Sequence, residues 1–203
     1  TLVLISIPSQ SIASYAQSDI SPDGVVVTQH YLATEIGENI LTQGGNAYDA
    51  AVAVGFALAV VLPRAGNIGG GGFMVIYDED SNDTYAIDYR EKAPAASFRD
   101  MYLDENGDVI EGKSLSSYFA AGVPGSVDGL LKAWQDHGSG NITLKQLLSP
   151  AIKLADRGFD LSYYEADRFN RNKEKLSQHP ETKRIFTRDD RRWESGDMFK
   201  QED

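Results

Sequence analysis

One segment of the chain is apolar on every side. Residues 47–61 consist mainly of alanine and valine and contain a single charged side chain, Asp49. Asn46 is a favourable N-cap and Pro63 cannot continue a helix, so we expect a helix between them. A helix without a polar face has to pack against neighbours on several sides. Its uninterrupted apolar run, residues 50–62, is shorter than the roughly 20 residues that cross a bilayer. The segment therefore predicts a central core helix and not a membrane span.

Composition and charge narrow the classes of function. The 203 residues include 30 acidic and 19 basic side chains, which gives a formal net charge of −11. Such a surface repels phosphate backbones, so we expect no nucleic-acid partner. The absence of cysteine excludes disulfides, thiolate metal sites and cysteine nucleophiles. The three histidines are far apart in the sequence and show no metal-ligand spacing, so we expect no metal.

The first residues resemble part of a secretory signal. Residues 2–7 are apolar, and small or polar residues follow, with cleavage expected after Ala13 or Ala16. We interpret residues 1–16 as a signal-peptide remnant and expect a periplasmic or secreted protein; a frayed amino-terminal strand is the alternative. Residues 201–203 resemble the acidic first turn of a helix. We therefore expect residues 17–203 to form a domain that continues in a longer protein.

The hydrophobic pattern predicts helices and hairpins without a regular βαβ rhythm, so a doubly wound parallel sheet is not favoured. Residues 73–77 and 84–89 flank a polar turn and predict a hairpin. Thr143 is expected to begin a short helix, and Ser149 followed by Pro150 predicts the start of another. The remaining expected elements are strands at 25–28 and 185–186, helices at 33–43, 127–134 and 163–176, and a tight turn at 106–107.

Four consecutive glycines, residues 69–72, separate the predicted core helix from the hairpin. A P-loop would continue with lysine and a hydroxyl residue, whereas Phe73 follows here. The order of helix, glycines and strand also differs from the strand, glycines and helix of a dinucleotide site. We therefore expect no nucleotide. Glycine permits a close backbone approach, so we interpret this glycine run as a turn that also shapes a site, with a purely structural turn as the alternative.

Arg90 is the candidate binding residue. It follows the second predicted hairpin strand, where a side chain can point into a cleft. Its planar guanidinium can hold a carboxylate through two parallel hydrogen bonds, which lysine cannot do. The alternative is a structural ion pair with Asp88, Glu91 or a more distant acid. The residue pattern leaves both interpretations open.

Five separated segments together resemble one family, the γ-glutamyltranspeptidases, also called glutathione hydrolases. The resemblance extends from about residue 24 to the end of the chain. The segments are residues 44–47 with 49–53, residue 63 with 65–74, residues 87–94, residues 122–127, and residues 149–155 with 158–159. Each segment alone is a weak signal, whereas five in the family's order and spacing are specific.

The resemblance implies an α+β fold, namely part of the αββα sandwich of the N-terminal-nucleophile hydrolases. It implies a precursor that cuts itself into a large and a small subunit. The terminal threonine of the small subunit then attacks the γ-amide of glutathione, and the glutamyl group passes to water or to an amino acid or peptide acceptor, without a cofactor. The resemblance covers the first part of the large subunit, so no catalytic residue is assigned in this chain. Arg90 matches the arginine that binds the α-carboxylate of the γ-glutamyl group.

Two alternatives stay open beside this interpretation. One is a related acylase that acts on β-lactam side chains or on poly-γ-glutamate. The other is a non-catalytic extracytoplasmic scaffold with the same fold. In every case we expect the isolated chain to be inactive and to expose an apolar sheet face, which the missing segment of the precursor would cover.

Overall fold

The computed structural model describes residues 24–201. Its helices are α1 (Tyr31–Thr42), α2 (Ala47–Val61), α3 (Lys113–Ser116), α4 (Ser126–His137), α5 (Leu144–Arg157), α6 (Tyr163–Arg171), α7 (Lys173–Leu176) and α8 (Pro180–Phe186), with a short 3₁₀ helix at Tyr118–Ala120. Its strands are β1 (Phe73–Asp78), β2 (Asp83–Asp88), β3 (Phe159–Asp160) and β4 (Met198–Phe199). The interpretation of residues 1–16 as a signal remnant falls outside the described residues.

Helix α2 lies between two hydrophobic clusters, which confirms the predicted core helix. Val52 and Phe56 belong to the cluster that α2 forms with α4, α5 and the hairpin. Ala57 and Val61 belong to a second cluster, formed with α1, α6 and the short β3–β4 pair. Within residues 24–201, no helix is long and apolar enough to cross a membrane.

The start of α2 is tied to the end of α4. The Oδ1 of Asn46 accepts hydrogen bonds from the N–H groups of Tyr48 and Asp49, both at 3.0 Å, and Asp49 Oδ2 accepts the N–H of Asn46 at 3.0 Å. Asn46 Nδ2 also donates to the carbonyl of His137 at 2.8 Å, and Asp49 Oδ2 accepts the N–H of Ser139 at 3.1 Å. The cap that begins α2 therefore also fixes the angle at which α4 packs on it.

Strands β1 and β2 form the predicted antiparallel hairpin, with Phe73 opposite Asp88 at one end and Asp78 opposite Asp83 at the other. On the inner face, Met74 and Ile87 pack against the first cluster. On the outer face, Phe73, Val75 and Tyr77 are 63%, 76% and 62% exposed. The expected apolar, uncovered sheet face is therefore present in the described part of the chain.

Helix α5 begins after Thr143, as the sequence predicts, but it continues through Ser149, where a second helix was expected to start. Thr143 caps it, because the Thr143 Oγ1 accepts the N–H of Gln146 and the Gln146 side chain accepts the N–H of Thr143. Pro150 then lies inside a single helix that ends before Gly158. The predicted helix start at Ser149 is therefore wrong. The reciprocal cap stabilises the earlier start, and a proline in the helix interior removes one backbone hydrogen bond without ending this helix.

Three further expectations need correction. Residues 25–28 form no strand in the described range, and Val25 and Val27 are exposed, so the predicted buried strand is wrong. Residues 185–186 belong to helix α8, which Pro180 begins, and not to a strand. The predicted helix at 163–176 divides into α6 and α7 at Asn172, whose side chain donates to the carbonyl of Arg168 at 2.8 Å.

An ion-pair cluster holds the segment between α8 and β4. Asp197 accepts two hydrogen bonds from Arg191, each 2.7 Å long, and one from the N–H of Glu194 at 2.8 Å. The guanidinium of Arg188 lies 3.7 Å from the same carboxylate and 3.8 Å from the centre of the buried Trp193 ring. These donors, Arg191 first, hold the pKa of Asp197 well below its ordinary value.

Acidification should destabilise the protein partly through Asp197. Because the folded state lowers the pKa of Asp197, its stabilisation is complete above the unfolded value, near 3.8, and is lost as the pH falls through the lower folded value. We expect Asp197→Asn to be less stable than wild type at neutral pH and to lose less stability below about pH 4. Denaturant titrations at several pH values measure this, with the exposed Asp190→Asn as the control. Parallel acid responses of wild type and Asp197→Asn would contradict the assignment.

Candidate functional site

Arg90 lies on a loop, residues 89–92, that is held from two sides. Gly72 and Tyr89 extend the hairpin by one pair, with N–H to carbonyl distances of 3.0 and 3.4 Å. Lys92 and Val123 exchange two further backbone hydrogen bonds, of 3.1 and 2.8 Å. The hairpin and the segment before α4 thus fix the backbone on both sides of Arg90. We call residues 89–92 the Arg90 loop.

The glycine run packs against this loop without any side chain between them. A Cβ at Gly71 would lie 2.5 Å from the carbonyl oxygen of Tyr89, and one at Gly125 would lie 2.1 Å from the same atom. The carbonyl of Gly70 accepts the N–H groups of Gly125 and Ser126, at 2.8 and 3.0 Å, which links the run to the start of α4. The predicted close approach of backbones is therefore confirmed, and it occurs beside Arg90.

Tyr89 anchors the Arg90 loop and was missed in the sequence. A Cβ at Gly129 would lie 2.2 Å from its Cγ, and one at Gly72 would lie 2.9 Å from its ring. Burial raises the pKa of the Tyr89 hydroxyl. Gly125, the N-cap of α4, and Gly129, within α4, thus leave room for the backbone and the ring of Tyr89 respectively.

The Arg90 side chain lies over the outer face of the hairpin and is 66% exposed. Its Cζ is 5.8 Å from the centre of the Phe73 ring, a cation–π contact. Its Nε is 3.8 Å from Glu91 Oε2, beyond hydrogen-bond range. Asp88 accepts the backbone N–H of Arg90 at 3.0 Å. The cleft expected around Arg90 is not formed by residues 24–201, where its side chain stands on an open surface.

This arrangement offers a cation on a fixed backbone. The contact with Glu91 is an exposed ion pair, which contributes little to stability and leaves the guanidinium donors available. The neighbouring outer face of β1 is apolar, so any element that covers it would also remove water from around Arg90 and strengthen its bond to an anion. The described residues therefore have the chemistry of a carboxylate-binding position beside an exposed apolar surface.

Comparison with known proteins identifies the family. The γ-glutamyltranspeptidase family model matches residues 33–203. The chain is 44% identical over 197 residues to the glutathione hydrolase proenzyme of Bacillus subtilis (strain 168), which covers 97% of this chain and 33% of that protein. It is 45% identical over 181 residues to the proenzyme of Escherichia coli (strain K12), which covers 89% of this chain and 30% of that protein. The chain thus spans about a third of these curated relatives.

A solved structure supports the same assignment. The γ-glutamyltranspeptidase of Helicobacter pylori superposes with a TM-score of 0.86 at 42% identity, over 91% of this chain and 52% of that chain. The fold is accordingly α+β, and it is part of an N-terminal-nucleophile hydrolase fold. From its sequence, its family match and this likeness, the chain belongs to the γ-glutamyltranspeptidase family, of which it represents the N-terminal part.

Proposed function

We propose that the protein to which this chain belongs is a γ-glutamyltransferase and glutathione hydrolase. The family membership and the identity to bacterial glutathione hydrolase proenzymes support this. The observation that carries the proposal is the exposed guanidinium of Arg90, held on a glycine-packed backbone at the end of the hairpin. A γ-glutamyl donor carries an α-carboxylate, and Arg90 is the residue that binds it.

The role of Arg90 follows from the geometry of its side chain. A guanidinium forms two parallel, charge-assisted hydrogen bonds with a carboxylate, so it fixes both the position and the orientation of the donor. Such a bond contributes about 1.5–3 kcal/mol in a site from which water is excluded. Orientation matters because the γ-carbonyl has to meet the nucleophile at the far end of the glutamyl chain.

The covalent step uses a nucleophile outside these residues. The hydroxyl oxygen of a terminal threonine attacks the γ-carbonyl, and its proton passes through the free α-amine to the departing amine of the donor. The resulting γ-glutamyl ester is then cleaved by water, which yields glutamate, or by the amine of an acceptor amino acid or peptide, which yields a new γ-glutamyl amide. This chain contributes donor binding, and the reaction requires no cofactor.

The remaining part of the precursor is the expected partner of the outer hairpin face. Phe73, Val75 and Tyr77 are the side chains that it would cover, and it would supply the nucleophile. The chain of residues 1–203 alone is therefore inactive. We also propose residues 1–16 as a signal remnant and residues 17–203 as part of the large-subunit domain, in a periplasmic or secreted protein.

A γ-glutamyl anilide assay on the full-length protein tests this function. We expect release of the aniline in water and faster release when glycylglycine is added as an acceptor, because a better nucleophile for the ester shortens its lifetime. Glutathione should compete with the anilide. Turnover of a β-lactam side chain or of poly-γ-glutamate without turnover of the anilide would favour the acylase alternative, and no turnover of any of them would favour the scaffold.

A further inference from the structure

A cavity of about 540 Å³ opens beside helices α6, α7 and α8. Its volume lies within the range of sites that bind small organic ligands. One wall is apolar and is formed by Phe169, Leu176 and Phe186, one from each helix. The function proposed above makes no use of this cavity.

A buried carboxylate lines the cavity. Glu165 is only 7% exposed, and its Oε2 accepts a hydrogen bond from the hydroxyl of Ser162, the N-cap of α6. Its Oε1 receives no hydrogen bond from residues 24–201 and is not fully enclosed, because Asp49 Oδ1 is the buried side-chain atom without a partner in that range. Burial lowers the pKa of His30, although the nearby charge of Glu165 opposes this shift. The imidazole is therefore neutral at pH 7 and does not balance the charge of the carboxylate. A buried carboxylate of this kind is stabilised by a cation.

Two guanidinium groups lie at the same cavity. Arg64 and Arg168 both line it, and their Cζ atoms are 5.1 and 5.2 Å from the centre of the Tyr164 ring. Arg168 also donates from Nε and Nη2 to the Tyr164 hydroxyl, at 3.1 and 2.8 Å. Neither arginine forms an ion pair with a carboxylate in the described part of the chain. Two like charges near one ring repel each other, and an anion bound in the cavity relieves that repulsion.

We propose that this cavity binds a free α-amino acid with an apolar side chain. Its ammonium group donates to Glu165, its carboxylate accepts from Arg64 and Arg168, and its side chain packs on Phe169 and the other apolar wall residues. The three ligand groups match a buried anion, an unpaired cation pair and an apolar surface. In a chain of net charge −11, a cavity that collects unpaired guanidinium groups is a distinct local feature. This inference does not depend on γ-glutamyl transfer.

Calorimetric titration of the full-length protein with L-phenylalanine tests the proposal. We expect Glu165→Gln and Arg64→Gln each to weaken binding by about tenfold or more, because each removes one charge-assisted contact. The matched control is Glu38→Gln, which makes the same chemical change on an exposed position of α1 and should retain wild-type affinity. N-acetyl-L-phenylalanine, which lacks the ammonium group, should bind at least about tenfold more weakly than phenylalanine.

Three results would overturn the proposal. They are no binding of phenylalanine by wild type, equal binding of phenylalanine and its N-acetyl derivative, and full wild-type affinity in Arg64→Gln, which would place the ligand elsewhere. Glu165 is buried, so its variant can unfold. Arg64 is exposed and lies beside the Tyr164 ring, so Arg64→Gln should fold, and its affinity for phenylalanine distinguishes this cavity from the position of an acceptor amino acid in the enzyme.

Discussion

Replacing Arg90 with lysine should raise the KM for a γ-glutamyl substrate by about tenfold or more in the full-length enzyme. Lysine keeps the positive charge but offers a point donor in place of a planar pair, so the donor carboxylate loses one of two hydrogen bonds and its fixed orientation. The fold should tolerate the change, because the Arg90 side chain is 66% exposed and its contacts within the described residues include just one ring, Phe73, and one acidic side chain, Glu91. Initial-rate kinetics with a γ-glutamyl anilide measure the KM, and a thermal melt measures stability. Together they distinguish a loss of substrate binding from a loss of folding.

Arg99 provides the matched control for this experiment. It is also exposed and pairs with an acidic neighbour, Asp100, at 3.0 Å. Arg99→Lys should leave the KM at the wild-type value. An unchanged KM in Arg90→Lys would remove Arg90 from the substrate site, whereas a large loss of melting temperature would show that its role is structural.

Gly71→Ala should lower kcat/KM by about a hundredfold. The new Cβ would lie 2.5 Å from the carbonyl oxygen of Tyr89 and 2.8 Å from both the Cα of Arg90 and the nitrogen of Glu91. All three are backbone atoms, so the Arg90 loop has to move away from the glycine run. That movement displaces the guanidinium by about an ångström, enough to lose orientation of the donor. We also expect a loss of about 1–3 kcal/mol in the free energy of unfolding, as in other overpacked sites.

The same glycine run contains its own control. A Cβ at Gly69 would meet no atom within 4 Å, and its φ does not lie in the left-handed range. Gly69→Ala should therefore retain wild-type kcat/KM and stability. If Gly69→Ala and Gly71→Ala impaired the enzyme equally, the run would act through flexibility and not through its packing on the Arg90 loop.

The elements that could be predicted are those whose signals are local and agree with one another. Helix α2 has an N-cap, a uniform apolar composition and a terminating proline, and the hairpin has two apolar strands around a polar turn. Local rules could not show that residues 144–157 form one helix in place of two, because Thr143 with Gln146 and Ser149 with Pro150 are both good starting signals. The choice was made by the reciprocal cap at Thr143.

The candidate site likewise contains one residue that could be predicted from the sequence and others that could not. Arg90 could be found because it follows a strand and lies in a recognisable motif. Its anchor, Tyr89, could not, since the space for the ring is made by Gly72 and Gly129, which come together only in the folded chain. The cavity beside α6 was also unpredictable, because Arg64 and Glu165 come together only through the packing of α2 against the C-terminal helices.

The composition of β1 has a consequence for how insertions and deletions act on this protein. Phe73, Val75 and Tyr77 face outward and Met74 and Ile76 face inward, so both faces are apolar and side-chain polarity does not distinguish them. A shift by one residue exchanges the two faces of a strand. The alignment of β1 therefore depends on its partner β2, whose outer face carries Thr84 and Asp88, and on the two ends of the hairpin, the tip at 78–83 and the closing pair next to Arg90. A single-residue change in the length of the tip would turn the wrong side chains toward the helices while leaving the sequence as hydrophobic as before.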